Sequence, residues 1–199
     1  MQHDIYFKKR ISYTAPVQAE HFFFDVGHTI FSSFQIDEGT DLLLRLVEPP
    51  PDAALQHILD LGCGCGVLGI VLARRFPMAQ VTMADKDLLA VRYARANTEL
   101  NNTPNTSVLG SVGLEQVPTH PYDLIVSNIP AKIGDDAIEQ EFMLAPIERL
   151  RPGGVFWFVV VSGLNRLIPK IGVRHQLNLK EIKKRAGHTV YRFQKPAHT

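Results

Sequence analysis

The chain has 199 residues, enough for one domain with a well-buried core, and its 21 basic and 20 acidic residues give a formal charge of +1. This near balance excludes the strong overall positive field of proteins that are held on nucleic acid by charge alone, although it leaves a local basic patch open. No segment resembles a signal peptide, and no apolar run approaches about 18 residues, so we expect a cytoplasmic protein without a membrane span.

The first fifty residues predict two strands, a loop and a helix. Alternating apolar and polar residues predict an edge strand over 4–11, and a phenylalanine-rich stretch predicts a second strand over 19–26. The segment 27–39 is polar and contains glycines but also several apolar residues, which indicates a loop folded over a pocket or over the sheet rim. Thr40 is expected to cap a leucine-rich helix over 41–47, which a run of three prolines ends.

From residue 56 onward the pattern alternates between strand and helix, which is typical of a parallel α/β sheet. The predicted strands are 56–61, 80–84, 106–109, 123–127 and 155–161. The predicted helices are 67–76, 88–100, 136–150 and 164–171. Two last strands, 177–183 and 189–194, predict an antiparallel pair. We therefore expect an α/β fold with a Rossmann-like, mostly parallel sheet, a C-terminal antiparallel strand pair and a short N-terminal strand extension.

A glycine-rich turn follows the first strand of this sheet. The apolar run reaches Asp60 and continues as Leu-Gly-Cys-Gly-Cys-Gly into a helical pattern. Glycine tolerates positive φ and lets a ligand approach the backbone, and the following helix offers free N–H groups and a positive dipole end. Because ligands of an open parallel sheet bind beyond the carboxyl ends of its strands, we expect a cofactor at this turn.

Two kinds of cofactor are compatible with the turn. The spacing Gly64-x-Gly66-x-x-Gly69, with Asp85 about 20 residues further on, matches the dinucleotide fingerprint of nicotinamide oxidoreductases. The spacing Asp-x-Gly-x-Gly-x-Gly, which starts at Asp60, instead resembles motif I of class I S-adenosylmethionine-dependent methyltransferases. A strand that ends in Asp-Leu-Gly-Cys-Gly favours the methyltransferase form. In both cases the acid at the tip of the next strand can accept hydrogen bonds from ribose hydroxyls.

Cys63 and Cys65 are the two cysteines of the chain, and both lie in this turn. They are one residue apart, which is a poor spacing for an ordinary disulfide, and without further cysteines a Cys-rich zinc site cannot form. We therefore predict that they are small residues filling a tight turn, and we predict no metal site.

The segment Ser127-Asn128-Ile129-Pro130 follows the fourth strand and resembles the Asn-Pro-Pro-aromatic motif of amino-methylating enzymes. An exocyclic amine is a poor nucleophile because its lone pair is delocalised. The Asn side-chain oxygen and the next carbonyl can accept both amine hydrogens and so aim the lone pair at a sulfonium methyl. Asn128, Ile129 and Pro130 are therefore the predicted catalytic residues. Ile129 replaces the first proline of the motif, and Ala131 replaces its aromatic residue.

Several stretches within roughly residues 25–160 together resemble the small-methyltransferase family, which includes guanine-N2 methyltransferases of small-subunit ribosomal RNA. They are the segment 27–32, the Asp-Glu-Gly-Thr segment and its continuation over 37–43, the glycine-rich turn, and the segments 90–97 and 122–128. The resemblance implies S-adenosylmethionine as cofactor and a guanine amino group of ribosomal RNA as methyl acceptor.

The resemblance also implies a set of cofactor-binding residues, most of them at strand tips. They are Phe31, Gly39, Thr40, Asp60, Gly62, Cys63, Gly64, Gly66, Asp85, Lys86, Ser111, Val112 and Asn128. In the family, an acid often stands at the position of Ser111 and meets the adenine amino group. By the same resemblance, residues 1–199 form one methyltransferase domain, with an N-terminal extension and lid over 1–50 and a catalytic core over 51–199.

Other functions remain compatible with these residues. A protein glutamine amide or a small molecule is an alternative methyl acceptor. A non-catalytic module that binds cofactor or RNA is a further alternative, which Ile129 and Ala131 favour. The sequence leaves both a monomer and a homodimer open.

Overall fold

The computed structural model describes residues 7–27, 36–51 and 55–197. The strands are β1 (Phe7–Thr14), β2 (His21–Gly27), β3 (His57–Leu61), β4 (Gln80–Asp85), β5 (Thr106–Gly110), β6 (Tyr122–Asn128), β7 (Leu150–Val161), β8 (Lys180–Arg185) and β9 (His188–Gln194). The helices are α1 (Glu38–Leu46), α2 (Val67–Arg75), α3 (Leu88–Leu100), α4 (Asp135–Ala137), α5 (Ala145–Arg149) and α6 (Leu167–Arg174), with a π-helical turn (Ile138–Leu144) between α4 and α5. No helix within these ranges is long and apolar enough to cross a membrane.

Seven strands form one sheet in the order β5-β4-β3-β6-β7-β9-β8. The pairs among β3 to β7 are parallel, whereas β9 runs antiparallel to both β7 and β8. The first two strands pair separately as an antiparallel hairpin. This arrangement confirms the expected α/β class, the C-terminal antiparallel pair and the N-terminal strand extension.

Both faces of the central part of the sheet are buried, because side chains alternate between two cores along β3, β6 and β7. Ile58 and Trp157 belong to the core beneath α1 and α2, whereas Leu59 and Phe158 belong to the core on the opposite face. All four are at most 3% exposed. This double burial explains why the central strands are continuous apolar runs in the sequence.

Asn97 of α3 and Asn101, which caps the C-terminal end of that helix, fasten the N-terminal hairpin to the domain. Asn97 accepts the Asp25 N–H at 2.8 Å and donates to the Asp25 carbonyl at 3.1 Å, and its amide also donates to the Cys65 carbonyl at 2.9 Å. One helical turn later, Asn101 accepts the Phe23 N–H at 3.0 Å and donates to the Phe23 carbonyl at 2.7 Å. The two side chains therefore bond the edge of β2 as a neighbouring strand would.

Some predicted boundaries are wrong. Asp37, not Thr40, caps α1, because its carboxylate accepts the Thr40 N–H and the helix begins at residue 38. The strand predicted over 155–161 starts at Leu150, because Gly153 and Gly154 exchange backbone hydrogen bonds with Lys195. The helix predicted over 136–150 includes the π-helical turn.

Candidate active site

A cavity of about 460 Å³ opens at the carboxyl ends of β3 to β6, beside the start of α1. Its volume lies within the range of small-molecule sites. Most of the residues predicted for cofactor or catalysis line it together: Thr40, Gly62, Cys63, Gly64, Asp85, Lys86, Ser111, Val112, Asn128 and Pro130. The predicted strand-tip site therefore exists as one continuous space, although the lining by itself assigns no role.

The glycine-rich turn is held by the neighbouring strand tip. Gly62, at φ +74°, donates its N–H to the Ala84 carbonyl at 2.8 Å, and the Gly64 N–H donates to Asp85 Oδ2 at 2.8 Å. The other oxygen of Asp85 accepts the Asp87 N–H at 2.9 Å. A Cβ built on Gly64 meets nothing within 4 Å, so the space above this backbone is open to a ligand.

Four predicted residues do not line the cavity but lie behind its wall: Gly39, Asp60, Gly66 and Ile129. Gly39 leaves no room for a side chain, because a Cβ there would lie 2.7 Å from His188 Cδ2. Gly66 adopts φ +91° where α2 begins, and the Ile129 side chain is only 2% exposed in the core. Phe31 lies outside the described residues.

Asp60, which the sequence predicts among the cofactor-binding residues, is completely buried beneath the turn. Its Oδ2 accepts the Gly69 N–H at 2.8 Å, and its Oδ1 has no hydrogen-bond partner within the described ranges. Burial raises the pKa of this carboxyl to about 7; the Gly69 N–H opposes the shift and the charge of Asp85 adds to it. Asp60 therefore fixes the start of α2 against β3.

The two cysteines of the turn are free thiols, one buried and one half-buried. Burial raises the pKa of Cys63 well above its ordinary value and raises the pKa of Cys65 to about 12. Both therefore stay protonated near neutral pH, a state that disfavours nucleophilic chemistry. Within the described parts of the chain, no three His, Cys, Asp or Glu side chains are grouped so as to hold a metal ion.

Asn128 is oriented by the start of α1. Its Nδ2 donates to Asp37 Oδ2 at 2.7 Å and to Thr40 Oγ1 at 3.1 Å. A carboxylate can only accept hydrogen bonds, so the amide nitrogen must face Asp37 and the carboxamide cannot be turned round. The carboxamide oxygen is thereby left for a donor, and within the described ranges it has no protein partner.

The cavity is also lined by residues that the sequence analysis did not predict for the site, among them Asp37, Glu141 and Phe142. Asp37 belongs to the Asp-Glu-Gly-Thr segment that carried the resemblance, so its motif was visible although its contact was not. Glu141 and Phe142 lie in the π-helical turn, and no local pattern distinguishes them from other residues of an amphipathic helix.

The methyltransferase small domain model matches residues 22–192, which is most of the chain. The chain belongs to the methyltransferase small domain family. Two ribosomal RNA small subunit methyltransferases C resemble this small methyltransferase domain. That of Hahella chejuensis is 36% identical over 143 residues, and that of Pseudomonas putida strain GB-1 is 41% identical over 138 residues. These alignments cover 70% and 68% of the chain but only 39% and 40% of the relatives, so the chain spans less than half of their length.

Solved structures with the same fold include a T. thermophilus 16S rRNA N2 G1207 methyltransferase in complex with AdoMet and guanosine. It superposes on the small methyltransferase domain with a TM-score of 0.74 at 27% identity, covering 94% of this chain and 50% of the other. A ribosomal protein L11 methylase from Lactobacillus delbrueckii, at 22% identity and a TM-score of 0.64, shares the fold.

Proposed function

We propose that this protein is an S-adenosylmethionine-dependent N-methyltransferase that acts on the exocyclic amino group of a guanine in ribosomal RNA. The observation that carries the proposal is the orientation of Asn128, whose amide nitrogen is tied to Asp37 at 2.7 Å within a cavity bounded by the glycine-rich turn. The names of the relatives support ribosomal RNA as the substrate, and the similar T. thermophilus structure is that of a 16S rRNA N2 G1207 methyltransferase.

The residues around the cavity fit the cofactor. The open backbone at Gly64 would accommodate its amino-acid portion, and the carboxylate of Asp85 would accept hydrogen bonds from the ribose hydroxyls. Lys86, Ser111 and Val112, which line the same cavity, would then border the adenine, and Thr40 would lie beside Asn128 at the other end. When bound, the cofactor supplies an electrophilic methyl group on a positively charged sulfur.

Asn128 then positions the acceptor amine. Its carboxamide oxygen would accept one amine hydrogen, and the backbone carbonyl of Ile129, whose side chain lies in the core, would accept the other, so that the nitrogen lone pair points at the sulfonium methyl. The ring of Pro130 fixes its own φ, which limits the movement of this short segment. Positioning of this kind contributes several kcal/mol to lowering a barrier and needs no acid–base residue.

One observation favours the alternative acceptors. Ala131 is exposed and stands where the family motif has an aromatic residue, so this chain lacks that platform for stacking a base. A protein glutamine amide or a small molecule presents the same kind of amine and needs no such platform. The division into an N-terminal extension and lid over 1–50 and a catalytic core over 51–199 remains part of the proposal.

The test is methyl transfer from labelled cofactor to unmodified ribosomal RNA, with the product nucleoside identified. We expect N2-methylguanosine from the wild type and none from Asn128→Ala, which should bind S-adenosylhomocysteine about as tightly as the wild type. Asn178→Ala is a matched control, because Asn178 is exposed and lies outside the active-site cavity. No binding of S-adenosylhomocysteine at millimolar concentration would refute the cofactor, and full turnover by Asn128→Ala would refute the positioning role.

A further inference from the structure

Ser111 has no side-chain hydrogen to offer a ligand at the tip of β5. It is 6% exposed, its hydroxyl donates to the Gly113 carbonyl at 3.0 Å, and the same oxygen accepts the Gln116 N–H at 3.0 Å. These two bonds hold the loop 111–116 in shape. The hydroxyl hydrogen is therefore engaged in the protein, and a carboxylate at this end of the cavity would be a stronger acceptor for a ligand's polar edge than the one remaining lone pair of Ser111.

Glu141 faces this end of the cavity from the opposite side. It is half-buried and lines the cavity together with Ser111, Val112 and Gly113. A Cβ built on Gly113 would lie 3.5 Å from Cβ, Cγ and Oε2 of Glu141, so the carboxyl side chain lies directly over the Gly113 backbone. Its position in a π-helical turn is typical of functional residues, because such turns occur preferentially at functional sites.

The carboxylate of Glu141 differs from the other acids that line the cavity. Asp37 accepts from Asn128, Asp85 accepts from Gly64, and Asp87 accepts the Leu89 N–H at the start of α3. Glu141 makes no hydrogen bond or ion pair within the described ranges. Its neighbour Glu139 points away, towards Arg174 and His175 at 2.6 and 2.7 Å.

We propose that Glu141 accepts a hydrogen bond from the exocyclic amino group of the cofactor's adenine. The inference rests on the proposed function, in which Asp85 holds the ribose, so that the attached base lies towards the β5 tip and Glu141. A carboxylate can only accept, and the 6-amino group of adenine can only donate. A purine with an oxygen at the same position presents an acceptor to the carboxylate and is repelled. Glu141 thus makes the site specific for an adenosyl cofactor.

The test compares two ligands by calorimetry: S-adenosylhomocysteine and its analogue with hydrogen in place of the 6-amino group. The wild type should prefer the amino compound by roughly 10- to 100-fold, the range of a hydrogen bond to a charged group. Glu141→Ala should lose most of that preference. Glu141→Gln should retain part of it, because its amide oxygen still accepts. Glu115→Ala is the matched control, because Glu115 is an exposed glutamate of the loop 111–116 that lies outside the cavity. This variant should keep the wild-type preference.

The outcomes separate this inference from the proposed function. If S-adenosylhomocysteine binds the wild type and Glu141→Ala keeps the full preference for the amino group, Glu141 does not read adenine, although the cofactor assignment stands. If the wild type binds neither ligand, the proposed function itself fails. A loss of S-adenosylmethionine affinity in Glu141→Ala that spares S-adenosylhomocysteine would also overturn the inference, because the carboxylate would then interact with the sulfonium charge.

Discussion

Asp37 and Asn128 are 91 residues apart in the chain, yet the Asp37 carboxylate accepts the Asn128 amide at 2.7 Å. The same Oδ2 atom also accepts the Thr40 N–H at 3.0 Å, so one oxygen caps α1 and orients the carboxamide. The start of α1 and the tip of β6 are thereby joined at the point where methyl transfer is proposed.

Replacing Asp37 by alanine should impair turnover more than cofactor binding. Asn128 would then keep only its bond to the Thr40 hydroxyl, which can donate as well as accept and so does not fix the direction of the carboxamide. We therefore expect kcat to fall at least roughly 10-fold while the Kd of S-adenosylhomocysteine stays within about threefold. Loss of the helix cap should lower the free energy of unfolding by about 1 kcal/mol. Asp37→Asn keeps an oxygen acceptor and should recover most of the activity. Wild-type turnover by Asp37→Ala would contradict the positioning role.

Asn97 and Asn101, which fasten the N-terminal hairpin, should differ in their effect on ligand binding. Alanine at either position leaves buried backbone groups of β2 without partners, and each variant should lose about 1–3 kcal/mol of unfolding free energy in urea titrations. Asn97 also holds the Cys65 carbonyl of the glycine-rich turn, whereas the Asn101 side chain does not. Asn97→Ala should therefore weaken S-adenosylhomocysteine binding, and Asn101→Ala should not. Equal effects of both variants on ligand affinity would argue against this coupling.

Asp60 should make the protein less stable as pH rises towards neutrality. Its pKa is about 7 in the folded protein against an ordinary value of 3.8, so between about pH 4 and 7 the folded state keeps a proton that the unfolded state has lost. Unfolding free energy contributed by this group therefore falls through that window, by an amount on the order of a few kcal/mol. Asp60→Asn cannot ionise and should show a flatter profile. Asp136→Asn, at an exposed position, should keep the wild-type slope.

Restoring an aromatic residue next to the catalytic segment should strengthen the hold on a base. Base stacking on an aromatic side chain is worth roughly 1–3 kcal/mol, and Ala131 is exposed beside Pro130. We expect Ala131→Phe to lower the KM for unmodified ribosomal RNA by about tenfold or more, with little change in kcat. Ala131→Leu, which adds bulk without a flat ring, should have a smaller effect. An unchanged KM would favour one of the acceptors that is not a nucleobase.

The central strands could be predicted from the sequence because their signal is local. Each of β3 to β6 is a short apolar run followed by a turn residue, and the structure moves these predicted boundaries by one residue at most. The start of β7 could not be predicted in this way. It depends on backbone bonds between Gly154 and Lys195, which are far apart in the chain.

The same distinction between local signals and long-range contacts applies to the residues of the site. Strand-tip residues such as Gly64, Asp85 and Asn128 could be predicted because parallel strands bring their carboxyl ends to one edge. The contact between Asp37 and Asn128 and the direction of Glu141 depend on how separate elements pack. Composition and spacing do not encode that packing, so only the structure reveals which acid each backbone or amide group meets.

The hydrogen bonds of Asn97 and Asn101 to β2 connect the N-terminal hairpin with the rest of the domain. The amide oxygen of Asn97 accepts the Asp25 N–H, and its amide nitrogen donates both to the Asp25 carbonyl and to the Cys65 carbonyl of the glycine-rich turn. Separation of the hairpin would remove the two hydrogen bonds between Asn97 and Asp25. The remaining bond would then hold the glycine-rich turn, on which the methyl donor would rest, less firmly. A partner molecule bound to β1 and β2 would therefore change the ligand affinity of the active-site cavity without contacting it.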